Sequence, residues 1–335
     1  MAIRRQTGGA RRLSVVVPAT ELTGLEETLV SVLEHRPENS EIVVALGTPY
    51  DDPWNIREEV TFVDAAKGSG LVGCVTAGIA AASGDVIHVL AAGWKATDGW
   101  ANAALRHFAQ RDVAAVVPLA VSEADHEQPT SAGIRRTAGG RSVTVVPRRK
   151  AGGIVTGALP SAPLLEAGFW RTDVIREIGL STACGDALAA ADMAAGLTAS
   201  KADVVLEPES RVIGGPTRKR GSSFAAGLHA ERLFWRSLSC ERAVPALLAH
   251  GGEVLRHAAM TAPLGTFAML AGRLTALVQF GSCFGRTVQL RALMREAIIR
   301  EAEGDASART YRIDESHETS RPHIDQPARE LRRSA

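Results

Sequence analysis

The chain has 335 residues, room for one large domain or two modest ones. Apolar residues at 45% and charged residues at 22% fit a soluble globular protein and exclude a disordered or collagen-like chain. Lys and Arg total 38 against 37 Asp and Glu, and a net charge of +1 provides no field to recruit nucleic acid.

Aromatic residues, at 4%, are too few for a base-stacking surface, so no nucleic-acid partner is expected. Cys74, Cys184, Cys240 and Cys283 stand singly, without a CxxC pair or a Cys/His cluster at metal spacing. That argues against a disulfide scaffold or zinc module and fits a reducing cytosol.

Residues 1–11 read as a flexible basic leader, because no long apolar stretch and cleavage site follow. Leu13–Val17, closed by Pro18, is predicted as a strand buried on both faces. Thr23-Gly-Leu-Glu26 has the form of a capping box opening a helix, with Leu25, Leu29, Val32 and Leu33 on one face. Glu41–Leu46 and Val60–Val63 are the next strands. Ser69–Ala82 is a small-residue helix ending at Ser83-Gly84, with Gly84 suited to a left-handed cap.

Val86–Leu90 is a strand, Trp100–Phe108 a helix and Val113–Leu119 a further strand. Strands and helices alternating at this pitch predict a mostly parallel sheet covered on both faces. Between Ser122 and Pro160, Ile134–Arg136 and Ser142–Val146 flank Ala138-Gly-Gly140, the pattern of a hairpin or mobile loop. Leu164–Ile178 is an apolar run at helical spacing, followed by a small-residue helix over Asp186–Leu197 and a strand over Asp203–Leu206.

Beyond a basic cluster at Arg218-Lys-Arg220, helices are predicted around Phe224–Leu238, Val244–His257 and Leu264–Phe284. The stretch from Glu301 is polar and predicted to be disordered. No window reaches the ~18 apolar residues of a membrane span. Ala258–Gly272 and Leu274–Gly285, split by Arg273, read as buried or interfacial helices.

Leu13-Ser-Val-Val-Val-Pro18, Glu41-Ile-Val-Val44, Ala77-Gly-Ile-Ala-Ala-Ala-Ser-Gly-Asp85 and Asp98-Gly-Trp100 fall in the order and spacing of family 2 glycosyltransferases, which the chain resembles. Glu166-Ala-Gly-Phe-Trp-Arg171 with Val174-Ile-Arg-Glu-Ile-Gly179 is similar to that family's acceptor-side helix, and Val204-Val-Leu-Glu-Pro208 to its late strand. The likeness covers roughly residues 12–215, with a weaker continuation to about 285. It implies a GT-A-like α/β domain there, a helical extension over 216–300 and a tail over 301–335. It further implies a nucleotide-sugar donor and a polysaccharide or lipid-linked acceptor. The donor positions carried over are Pro18, Thr20, Gly47, Thr48, Lys67, Ala91 and Gly93.

Three of the family's functional groups are replaced. Where an acidic pair reads the base, this chain has Ala45-Leu-Gly-Thr48, with Asp51 and Asp52 downstream in a turn-like Asp-Asp-Pro. Where Asp-x-Asp holds Mg²⁺ or Mn²⁺ against the diphosphate, it has Leu90-Ala-Ala-Gly93. No metal cofactor is therefore expected. Asp98, further on, reads as a helix cap. Where Glu-Asp supplies the base, it has Ala189 and Ala190. Asp192 survives at a supporting position and is the remaining catalytic candidate, with Asp186 on a different helical face.

Lys67, Lys95 and Arg171 are candidates to replace the metal's charge, and Gly68-Ser-Gly70 could present N–H groups to a phosphate. The string Gly68-Ser-Gly-Leu-Val-Gly73 matches GxGxxG, but no acidic residue ends the next strand as a dinucleotide site requires. His88 sits in an apolar strand as a core histidine. Ser69 and Ser83 lack a nucleophile-elbow context.

Arg218-Lys-Arg220, Arg232, Arg236 and Arg242 ahead of apolar helices have the composition of an interfacial anchor, or of a cap packed on the domain. The location expected is cytoplasmic, peripheral on the inner face of the cell membrane if the anchor holds. Two functions stay open: a metal-independent transferase, and a non-catalytic scaffold or glycan-binding partner of an active transferase.

Overall fold

The structure, a computed structural model, describes residues 12–53, 55–150, 153–215 and 222–318; side chains of 149–150, 153–155, 282 and 303–318 are left aside. The leader 1–11, the cluster Arg218-Lys-Arg220 and the tail beyond Glu318 lie outside the described residues.

The elements in chain order are β1 (Leu13–Ala19), α1 (Leu25–His35), β2 (Ser40–Leu46), β3 (Thr61–Asp64), α2 (Leu71–Ala81), β4 (Val86–Leu90), β5 (Lys95–Ala96) and α3 (Trp100–Leu105). Next come β6 (Val113–Val121), β7 (Pro129–Ser131), β8 (Ile134–Arg136), β9 (Ser142–Thr144), β10 (Arg148–Lys150), β11 (Gly153–Val155) and β12 (Ala167–Arg171). The remainder is α4 (Thr172–Ile178), α5 (Asp186–Ala199), β13 (Asp203–Ile213), α6 (Ser223–Ser237), α7 (Ala243–Thr261), α8 (Thr266–Val278) and α9 (Phe284–Glu318).

The main sheet runs β3-β2-β1-β4-β12-β6-β13-β5, with β7 on β6. β3, β2, β1 and β4 are mutually parallel, and β6 is parallel to β13. β12 is antiparallel to both neighbours, β4 and β6. Every residue of β1, β4 and β6 is buried, as strands covered by helices on both faces require. The fold is α/β, with a mainly parallel sheet and added C-terminal helices, the architecture that the resemblance to GT-A enzymes implies.

Several expectations are corrected. The apolar run Leu164–Ile178 is a strand followed by a short helix: β12 sits mid-sheet, so its sequence is apolar without alternation and mimics helical spacing. Of the segment matched to an acceptor-side helix, Ala167–Arg171 is therefore strand, while Val174–Ile178 is helical as expected. α1 is not opened by Thr23; its cap is Gly24 at φ +76, with no side-chain bond. A Cβ there would lie 2.7 Å from the Gly93 Cα, so glycine is needed both for the turn and for close approach to the loop after β4.

Nor is Gly84 left-handed. Its Cβ would meet Ser14 Oγ at 2.6 Å and the Arg12 carbonyl at 2.7 Å, where its N–H donates to Ser14 Oγ at 2.8 Å. β13 extends to Ile213, well past Leu206. α9 continues through Glu301 to Glu318, where disorder was expected.

In the extension, α6 and α8 meet through glycine. A Cβ on Gly227 would lie 2.0 Å from the Met269 carbonyl oxygen, and one on Gly272 2.1 Å from that of Phe224. Such backbone contact locks these two helices into one unit. Among the described residues no helix is long and apolar enough to cross a membrane.

Candidate functional site

The C-terminal ends of β1, β2 and β4 form one edge. Ala92 N–H donates to the Pro18 carbonyl at 3.1 Å, Gly47 N–H to that of Ala19 at 2.9 Å, and Gly93 N–H to Thr28 Oγ1 at 2.9 Å. Pro18, Gly47, Ala91 and Gly93 thus share this edge, with half-buried Thr20 directly after β1 and Thr48 two residues after β2. Lys67 lies on the loop before α2, exposed and without an ion pair among the described residues.

The side chains at 91–93 offer no oxygen to a cation, and no group of three His, Cys, Asp or Glu that could hold one occurs among the described residues. The donor set therefore does not fit a carboxylate-held divalent ion, and no step is derived through one.

The glycine-rich loop is not a phosphate cradle. Gly68 N–H donates to the Gly47 carbonyl at 3.3 Å and Ser69 N–H to that of Ala66 at 2.9 Å. The first N–H groups of α2 belong to Asp186: Leu71 N–H donates to Oδ2 at 2.9 Å and Val72 N–H to Oδ1 at 3.1 Å. A carboxylate reaching over from α5 supplies the cap that Gly70 cannot.

Other sequence candidates separate. Asp192 is buried; its carboxylate takes Arg236 Nε and Nη2 at 3.1 Å each and lies 3.2 Å from Arg286 Nη2. It ties α5 to α6 and α9. Burial opposes the charge on Arg236 but the Asp192 carboxylate outweighs it and raises the pKa; at Arg286 burial dominates and lowers it.

Asp98 borders a shallow surface site with Asn102, Arg106 and Glu209; α3 is capped by Gly99, with no side-chain bond. Asp52 accepts from Ile56 N–H at 3.1 Å inside the turn. Lys95 is paired at 2.7 Å with both Glu27 and Glu123. Arg171 donates to the carbonyls of Val113, Phe108 and Gln110. Of the three proposed metal substitutes, Lys67 alone is uncommitted.

His88 is a core residue, as expected. It is stacked at 3.8 Å on Phe169, with Nδ1 3.2 Å from the Gly168 carbonyl, and burial lowers its pKa to about 3.

Two residues absent from the sequence candidates extend the edge. Ala91 N–H donates to the Glu166 carbonyl at 2.8 Å, which places Glu166 beside the end of β4. Burial raises its carboxyl pKa and the Asp186 carboxylate adds to the rise. Asp186 in turn lines a cavity of about 430 Å³ between the α/β domain and the extension, together with Arg141 and Ser142 of the β8–β9 hairpin, His229 of α6, and His257 of α7.

His229 is half-buried against Gly185, where a Cβ would sit 2.5 Å from its Nδ1. Burial lowers its pKa, Arg232 adds to the fall and Asp186 opposes it. The only local signals were a lone carboxylate opening an apolar run and a histidine among alanines on α6.

No protein family's sequence model matches the chain, and no curated protein is similar to it in sequence. Solved structures do resemble it. Staphylococcus aureus TarS residues 1–349 match at 11% identity and TM-score 0.53 over 87% of this chain and 92% of that one, which shows the fold. GalNAc-T7, solved with UDP, GalNAc and Mn²⁺, matches at 16% identity and TM-score 0.47 over 69% of this chain and 48% of its own length. This chain thus spans about half of that protein. The Pyrobaculum calidifontis mannosyltransferase PcManGT, solved with GDP-Man and Mn²⁺, matches at 16% identity and TM-score 0.46 over 87% and 88% of the two chains.

Proposed function

We propose that the protein is a glycosyltransferase that moves a sugar from a nucleotide-sugar donor to a glycan or lipid-linked acceptor without a carboxylate-held metal, at the inner face of the cell membrane. The observation that supports this is the 430 Å³ cavity, a volume suited to a small-molecule ligand, whose wall residue Asp186 caps α2 beside the edge formed by Pro18, Gly47, Ala91 and Gly93. In this reading the donor lies over Pro18, Gly47, Ala91 and Gly93, and Lys67 meets the diphosphate charge in place of a cation. The cavity receives the acceptor.

A second reading is a non-catalytic partner that holds a glycan for an active transferase. It is favoured by the employment of Asp186 and Asp192 as a helix cap and a buried ion-pair anchor. Calorimetric titration with UDP-, GDP- and dTDP-sugars, with Mn²⁺ and with EDTA, separates the two. Metal-independent binding with nucleotide release supports transfer; silence across the set supports the partner; binding abolished by EDTA overturns the metal-free route.

A further inference from the structure

We propose that His229 accepts the proton of the attacking hydroxyl, within an acceptor cavity completed by the C-terminal helices. This rests on the transfer reading above. His229 makes no hydrogen bond among the described residues, unlike His250, whose ring nitrogens face the Gly139 carbonyl at 3.0 Å and Glu231 at 3.1 Å. A polar ring left unbonded at a cavity wall has its bonding capacity free for a ligand. It shares the cavity wall with Asp186, whose carboxylate oxygens are fixed on the first N–H groups of α2, the end of the cavity nearest the proposed donor edge.

The charged groups around the cavity carry both signs and are tied to one another or to backbone. Glu253 of α7 pairs with Arg141 of the hairpin at 3.3 Å and with Arg256 at 2.6 Å. Arg273 of α8 bonds Glu231 and lies 3.3 Å from His257 Nδ1. Asp186 and Arg232 complete the surroundings of His229. Near-balanced charge with many donors and acceptors suits a neutral polyhydroxylated ligand better than a free anion.

In the step itself an acceptor oxygen forms the bond to the anomeric carbon while the bond to the diphosphate oxygen breaks. The hydroxyl proton passes to the imidazole, and the nucleoside diphosphate leaves with the bonding pair. Burial keeps the imidazole neutral at lower pH than usual, which a proton acceptor requires.

The test uses full-length protein and H229Q, with UDP-, GDP- and dTDP-sugars as donors and water or methyl hexosides as acceptors. Donor affinity is read by calorimetry and turnover by nucleoside diphosphate release from about pH 4 to 8. Expected is an unchanged donor Kd, a fall in kcat of ~10²–10⁴-fold, and loss of the acid limb on which wild-type rate rises as the imidazole deprotonates. Turnover by H229Q at the wild-type rate with the limb retained overturns the proposal and leaves transfer standing. Absence of donor binding in the wild type fells both. Should H229Q not fold, the wild-type profile decides, and a rate flat through the acid range overturns the proposal.

Discussion

Asp192, the catalytic candidate that the sequence resemblance offered, is engaged in a buried ion-pair cluster. Its carboxylate holds two buried arginines, and removing one partner from such a cluster costs about 3–5 kcal/mol because the remaining charges stay buried and unpaired. D192N is therefore expected to lower the urea midpoint strongly. If the same variant unfolds like the wild type yet loses turnover, Asp192 is a catalytic group instead.

His88 makes a separate, pH-dependent contribution. The unfolded chain takes a proton near pH 6.5, whereas the folded imidazole resists until about pH 3. Its share of stability is complete above pH 6.5 and declines by about 1.4 kcal/mol per unit as pH falls toward 3. Unfolding H88F across that range should give a shallower loss than wild type; identical slopes would show that the ring is protonated in the folded state.

At the level of elements, glycines on different helices predict opposite outcomes. Alanine at 272 gains helix propensity, worth about 1 kcal/mol, but drives a methyl to within 2.1 Å of the Phe224 carbonyl oxygen. Overpacking of this kind costs about 1–3 kcal/mol, so G272A should be net destabilising and should loosen α6 from α8 in limited proteolysis. Gly251, mid-way along α7, has nothing within 4 Å, and G251A should stabilise by about 0.5–1 kcal/mol. Equal effects in denaturant would refute the contact.

The same scale shows what the sequence could reveal. Strands buried on both faces, such as β1 and β4, announce themselves as short Val- and Leu-rich runs bounded by Pro or Gly. β12 did not, because a strand buried from Ala167 to Trp170 and running straight into α4 has no period of its own. That Pro18, Gly47, Ala91 and Gly93 share one edge was legible because each lies at or just past the end of a strand. Glu166, Asp186 and His229 were not legible as a group: they come from a strand start, a helix start and a different helix, and tertiary packing alone brings them together.

For the whole molecule, the decisive feature is the surface of α7 and α8. Between Ala243 and Phe284, Arg256 is the one exposed charged residue among the described residues, while Leu264, Phe267 and Val278 are 93%, 81% and 88% exposed. Exposed Arg242 precedes this face, and exposed Arg291, Arg295 and Arg300 follow it on α9 against Glu296 and Glu301. Under the proposed location at the inner face of the membrane, this surface edged by arginine is the one that would meet an anionic bilayer, apolar side chains inward and guanidinium groups at the headgroups.

Each such side chain buried contributes about 1.5–3 kcal/mol, so L264Q/F267Q/V278Q should weaken binding by more than ~100-fold. Full-length protein is expected to co-sediment with vesicles of phosphatidylcholine and phosphatidylglycerol, and less so in high salt or with phosphatidylcholine alone. A lipid-independent dimer that the triple variant dissolves would assign the face to a second copy instead. That outcome would remove the membrane from the account while leaving the cavity, which is lined from α5, α6 and the inner sides of α7 and α8, open to its ligand.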